Sequence, residues 1–470
     1  MKRSLAILAC VVALVASACG ASGDETGAEE EEGTSTTLAE GTSTKWGDLE
    51  SPCGEGDATV AEGEGPSRDA LPIGVANDRN SDIRPGLNAE FWDAAVAFSE
   101  WCNAQGGIQG LPIEVVDIDG GVVNVEAAMT KACTDVFAMV GGGYAMDNLE
   151  FSGKEASDFH KCGLIDIPGF AVSVDKSLSN GQVQPVPNPA NAKSSQWIID
   201  FKKLYPTESK KTVVVYSKDL PSLEAVKVQF DAVVEAEGGI ENLEPITYGL
   251  VVTDWGPYAE KVIESGATSL YWIGEPGNAA SFVKLLREKG WDGIFLNEAN
   301  LYDNVFTEVG GAAAEGAVVR TAFHPFEEAK DWPAVQQYLD NLEKYVPGGK
   351  AAFLGVQGTS AWLLFAVAAD TCATKNDGVV SRECVLSEAN AISDWTAGGM
   401  HAPMDAGVTT PAECGMLMIV KDGEFTRLYP EVGGEDDDQK GFHCPEDSIV
   451  QIPADKVPGK GNVDPSRPEL

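Results

Sequence analysis

Between residues 71 and 147 the chain switches repeatedly between two hydrophobic periods. LPIGVAN is a short unbroken apolar run that gives way to the polar stretch NDRNSDIRPG. Beyond it, Phe91, Ala94, Ala95, Phe98, Trp101 and Cys102 recur at helical spacing and predict an amphipathic helix. NAQGGIQG turns the chain into the strand LPIEVVDID. A second helix follows, with Val125, Ala128, Met129, Ala132 and Cys133 on one face, and then the strand VFAMV, which ends in GGGYAMD. Strands alternating with helices predict right-handed crossovers and a parallel sheet. Ligands of such sheets bind beyond the carboxyl ends of the strands, here at residues 77–86 and 141–147.

The alternation continues through the chain. A helix over 148–160 leads to GLIDIPGF, after which Pro185, Pro187 and Pro189 interrupt the pattern. Proline fixes φ near −65° and suits an extended crossing between two halves. A second series begins at once: a helix over 194–204, the strand KTVVVYS, the loop KDLPS, and a helix over 223–237 with Val226, Phe230, Val233 and Val234 inward. A short helix over 258–265, the strand TSLYWIG, the loop GEPGNAA, the helix SFVKLLREKGW, the strand GIFLN and the loop EANLYDN complete it. GGAAAEGAVVRTAF turns back, helices over 334–345 and 360–371 rejoin the first half, and the hairpin GMLMIVKDG–EFTRLYP closes the fold. The predicted class is α/β, with two doubly wound parallel-sheet lobes joined by a multi-strand hinge around a cleft. One lobe takes residues 71–187 and 324–401, the other 188–323 and 402–430. Residues 431–470 form a C-terminal segment tied on by a disulfide.

The N-terminal 70 residues read differently. MKRS, LAILACVVALVA and the box Ala16-Ser17-Ala18-Cys19 resemble a bacterial lipoprotein signal over residues 1–18, with Cys19 as the lipidated residue. Residues 19–70 are dominated by Gly, Ser, Thr and Glu and predict an acidic, flexible tether, pinned only near Cys53. The expected location is extracytoplasmic, at the membrane, held by two acyl chains. The later apolar stretch FLGVQGTSAWLLFAVAA reads as a buried core helix rather than a span. A net charge of −40 argues against a nucleic-acid partner.

With Cys10 and Cys19 set aside, eight cysteines remain, and an even number in an exported chain predicts disulfides. Cys133 and Cys162 precede neighbouring parallel strands, whose starts lie about 4.8 Å apart. Cys372 and Cys384 flank a short polar loop, whose closure stabilises by about 3 kcal/mol. Cys414 and Cys444 bracket the hairpin and an acidic loop, which leaves Cys53 with Cys102. No CxxC occurs and the histidines are scattered, so no metal site is expected; His324 and His401 read as structural.

Taken together, IGVAN, NAQGGIQGLPIEVVDID, VFAMVGGG, KTVVVYSKD, TSLYWIG, GIFLN and GGAAAEGAVV, in this order, resemble type 1 periplasmic solute-binding proteins of ABC importers. The nearest branch is that of the Leu/Ile/Val-binding receptors. The resemblance implies a monomeric clamshell that closes on a small-molecule solute (an amino acid, amide, urea or an aromatic or aliphatic acid), uses no cofactor, and hands the solute to ABC permease subunits. A ligand sensor of the same fold, feeding a signalling partner, is the alternative. By position, ligand contacts fall on Asn80, Gly86, Tyr144, Ala145, Met146, Asp147, Phe170, Ala171, Val172, Asp219, Leu220, Glu275, Asn297, Glu298 and Tyr302. GGYAMD and GFAVS carry apolar residues where amino-acid receptors place hydroxyls, so Tyr144, Met146 and Phe170 suit a partly apolar solute. Tyr144 either lines the cleft or packs as a loop-capping aromatic. Asp147 is read first as a helix cap. Asp219, Glu275 and Glu298 are ligand contacts or solvated rim charges. An enzyme is not expected: GxSxG, HExxH and a free Cys/His pair are all missing from the sequence.

Overall fold

The computed structural model describes residues 44–151, 161–461 and 463. The leader, Cys19 and most of the helix expected over 148–160 lie outside the described residues. Two sheets organise the rest. In the first, β1 (Leu71–Asn77) is flanked by β2 (Ile113–Asp119) and β3 (Ala138–Val140), and β4 (Ile165–Ile167) pairs with β3, all in parallel. Every residue of β1 is buried, as a central parallel strand covered on both faces requires.

The second sheet is built on β5 (Lys211–Ser217), β6 (Ile246–Tyr248), β7 (Ser269–Ile273), β8 (Ile294–Asn297) and β9 (Val318–Thr321). Strands β6 and β7 both pair with β5, and the parallel order continues through β8 to β9. The closing hairpin, β10 (Met416–Lys421) and β11 (Glu424–Tyr429), adds two antiparallel strands beside β9. The two-sheet α/β architecture is the one the hydrophobic pattern predicts.

Helices α1 (Ala89–Asn103) and α2 (Val125–Asp135) cover the first sheet. The second sheet carries α3 (Gln196–Leu204), α4 (Pro221–Glu237), α5 (Gly256–Ser265), α6 (Pro276–Glu288) and α7 (Asn304–Gly310). Helices α8 (Pro333–Tyr345) and α9 (Phe353–Lys375) return to pack on α1. Helix α9 is long and apolar enough to cross a membrane, but 83% of its most apolar window is buried inside the protein, so it is a core helix. It starts earlier than its apolar run suggests, because Gln357, Thr359 and Ser360 are themselves buried. A last helix, α10 (Arg382–Asn390), was not anticipated from the polar stretch RECVLSEAN.

All four expected disulfides are present: Cys53–Cys102, Cys133–Cys162, Cys372–Cys384 and Cys414–Cys444. The tether expectation is corrected over residues 44–70. Trp46 is fully buried and packs edge-on to Trp101 at 5.1 Å, and Thr59–Val60 pairs in parallel with Val379–Val380. A Glu- and Gly-rich composition conceals one anchoring indole and three two-residue strands. The C-terminal segment is likewise integrated, since Ile449–Gln451 pairs antiparallel with Ala192–Ser194.

Candidate functional site

The loops beyond the strand ends of both sheets enclose a cavity of about 230 Å³. Its walls are mostly apolar: Ile83, Leu87, Val122, Phe170 and Val172 come from the first half, and Trp197, Leu223, Val226 and Ile273 from the second. Contacts cross between the halves around it. Arg84 donates to Asn278 at 2.7 Å and lies 3.4 Å from Glu275; Ser222 Oγ donates to the Ala145 carbonyl at 3.3 Å. Lys350 pairs with Asp303 at 2.5 Å, and the Phe353 N–H donates to the Tyr302 carbonyl. The cleft is closed.

Buried carboxylates shape the first wall. Asp78, just past β1, accepts from the Val122 N–H at 2.6 Å and the Ala145 N–H at 2.7 Å, so one side chain ties together the loops after β1, β2 and β3. Burial lifts its pKa to about 6 against the pull of those two N–H groups. Asp147 accepts from the N–H groups of Val172 and Ser173, both at 2.8 Å, and fixes the loop after β4. Burial raises its pKa as well. The glycine run is a packing device: a Cβ on Gly142 would sit 2.4 Å from the backbone of Ala76, and one on Gly143 2.5 Å from Phe170.

Charge shapes the second wall. Glu298, just past β8, takes Lys193 on Oε1 at 3.1 Å and Arg320 on Oε2 at 2.5 Å, while the Tyr271 hydroxyl donates to Oε1. The side chains of Lys193, Glu298 and Arg320 are 2%, 9% and 19% exposed. Burial works to raise the Glu298 carboxyl, but Arg320 and Lys193 overcome it and hold the pKa at about 2. Lys193 is pushed down to about 7, first by burial and then by Arg320, with Glu298 opposing. The Trp197 ring stacks on Tyr271 at 5.0 Å, and the Arg320 guanidinium lies over the Trp197 ring, 5.7 Å from its centroid.

Of the residues expected at the site, Ala145, Phe170, Ala171, Val172, Leu220, Glu275 and Glu298 line the cavity. The others do not. Tyr144 is fully buried, with its hydroxyl donating to the Ile118 carbonyl, because it fills the space under α2. Asp147 is spent on backbone N–H groups. Asn297 donates to the carbonyls of Phe295 and Val318, and Tyr302 is buried against Phe326 with its hydroxyl on Glu327. Asn80, Gly86 and Asp219 are exposed, and Asp219 accepts from the Leu250 N–H. Met146 is half-buried outside the lining. Glu275 lines the cavity and also caps α6, accepting from the N–H groups of Gly277 and Asn278 at 2.9 Å each. Arg84, Lys193, Trp197 and Arg320 were missed. The one sequence signal was a lone arginine inside the apolar strand VVRTAF.

With two sheets, a closed cleft and a cavity lined from both sides, comparison with known proteins becomes decisive. Residues 172–424, more than half of the chain, match the periplasmic binding protein family model. The chain belongs to that family. Solved structures agree on the fold. A leucine-binding protein, LivK, from Thermotoga maritima superposes with TM-score 0.61 at 16% identity, over 77% of this chain and 98% of that one. The fatty acid ABC transporter substrate-binding protein from Thermomonospora curvata gives TM-score 0.68 at 16% identity, over 84% and 98%. The branched-chain amino acid transporter substrate-binding protein LivJ from Streptococcus pneumoniae, solved with isoleucine, gives 0.60 at 17% identity, over 76% and 100%. No curated protein sequence matches the chain. As a type 1 periplasmic ligand-binding protein it is a solute receptor by family, and its extracytoplasmic location follows from that membership.

Proposed function

We propose that this periplasmic binding protein is a membrane-anchored receptor that captures a small organic solute between two lobes and delivers it to the permease of an ABC importer. Residues 71–187 with 324–401 form one lobe, and 188–323 with 402–430 the other. The observation that carries the reading is the cavity lined from both halves and crossed by Arg84–Asn278 and Ser222–Ala145 contacts. A solute touching both walls stabilises the closed state by its differential affinity for it. The lipoprotein-like box at Cys19 supports the anchor, and monomeric, non-catalytic capture fits this geometry. The named cargoes of the structural neighbours include both a fatty acid and an amino acid, which supports an organic solute without choosing its class.

Native mass spectrometry of the purified chain is expected to reveal a co-purified small molecule, and scattering to report compaction when that molecule is returned to stripped protein. Ligand at a hundred times its Kd should add about 2.7 kcal/mol of stability. No compaction with a tightly bound solute would sink the clamshell reading.

A further inference from the structure

The receptor reading leaves the chemistry of the solute open, and the inference drawn here rests on that reading. Charge is the first observation. Lys193 and Arg320 share a single carboxylate, and Glu298 has both oxygens in use. With all three ionised, the buried cluster holds one positive charge more than negative. The second observation is a bare donor: Nε of Arg320 is buried with no hydrogen-bond partner among the described residues, on a side chain that lines the cavity. A buried cluster short of one counter-charge is costly, and the Lys193 ammonium is depressed by burial first and by Arg320 second.

The third observation concerns what the cavity does not offer. Its two lining carboxylates are both engaged, Glu298 as above and Glu275 on the first N–H groups of α6 and beside Arg84. A ligand ammonium would find neither of them free. Around the cations the wall is apolar, with Phe170, Val172, Leu223, Val226, Ile273 and Phe353.

We propose that the cavity binds a monocarboxylate with an apolar tail, its carboxylate seated on Lys193 and Arg320 and its tail against the apolar wall. A charge-assisted contact of this kind discriminates against a neutral isostere by about tenfold or more. The volume, below the roughly 300–1,000 Å³ of drug-sized pockets, suits a small acid.

The test uses the full chain, stripped of co-purified solute with its disulfides intact, and titrated calorimetrically with octanoate, octanamide, 1-octanol and L-leucine. Octanoate is expected to bind about tenfold or more tighter than the other three. Lys193→Met leaves Glu298 paired with Arg320. Arg320→Gln leaves Glu298 paired with Lys193. Both should lose octanoate affinity by about tenfold or more, and so lose most of the preference for octanoate over 1-octanol. Equal binding of octanoate and octanamide, or tighter binding of L-leucine, overturns the proposal and needs no variant. Unchanged octanoate affinity in both variants overturns it too. If none of the four binds, the carboxylate assignment falls. The receptor reading is then judged separately by whether the chain as purified carries another small molecule.

Discussion

The two walls of the cleft are built on different physics. On the first, two carboxylates past the strand ends, Asp78 and Asp147, are turned inward. Asp78 and Asp147 accept backbone N–H groups and hold four loops in place, so the surface offered to a ligand is mostly backbone and apolar side chains, with Arg84 at the rim. On the second, Lys193, Arg320 and Glu298 meet inside the cavity lining, backed by Tyr271 and Trp197. One wall sets shape and the other sets charge. A symmetric pair of α/β halves therefore gives an asymmetric site, because a loop ordered by its own acid has no acid left for a ligand.

The contrast can be broken most forcefully at Glu298. Glu298→Gln leaves Lys193 and Arg320 without a counter-charge, and urea unfolding at pH 7 should show a loss of about 3–5 kcal/mol. A loss below 1 kcal/mol would mean that the second wall is held by packing instead. On the first wall, Asp147→Asn keeps the shape but exchanges one acceptor oxygen for a donor. It should cost about 1–3 kcal/mol, with amide exchange at Val172 and Ser173 accelerated while the second sheet stays protected.

The pH dependence separates the walls further. Lys193 faces Glu298 and Arg320, with Tyr271 behind Glu298, and titrates near 7 when folded. Its folded pKa lies below the unfolded value near 10.5, so the unfolded chain holds the extra proton between those limits. The stability of the parent relative to Lys193→Met should then rise with pH from about 7 to 10.5 and stay flat below 7. A difference that falls over that interval would contradict the burial of this ammonium. The smallest effect is expected at the rim. Arg84→Ala removes a half-exposed contact between the walls and should change stability by no more than about 1 kcal/mol. Scattering should nevertheless show a more open average form.

Much of this was legible from periodicity. LPIGVAN and KTVVVYS are strands over their full lengths, and the four disulfides follow from where the cysteines stand relative to strand starts and loops. The candidate site was half legible. Position after a strand correctly brought Phe170, Val172, Glu275 and Glu298 to the cavity. It failed for Asn297 and Tyr302, and for Tyr144 and Asp147 the packing and capping alternatives came nearer, because position does not say whether a side chain points at the cleft or into its own loop. Residues 44–70 misled for a related reason, since composition averages over Trp46, the residue that docks the segment.

What the sequence determined by itself is the sheet order's raw material: alternating periods, turn residues and cysteine positions, all local quantities. Tertiary structure alone decided the charge of the site. Lys193 follows a proline-rich crossing, Glu298 follows β8 and Arg320 lies within β9, so no single sequence motif contains two of them. Only the packing of three chain segments around one carboxylate puts two cations beside an apolar cavity.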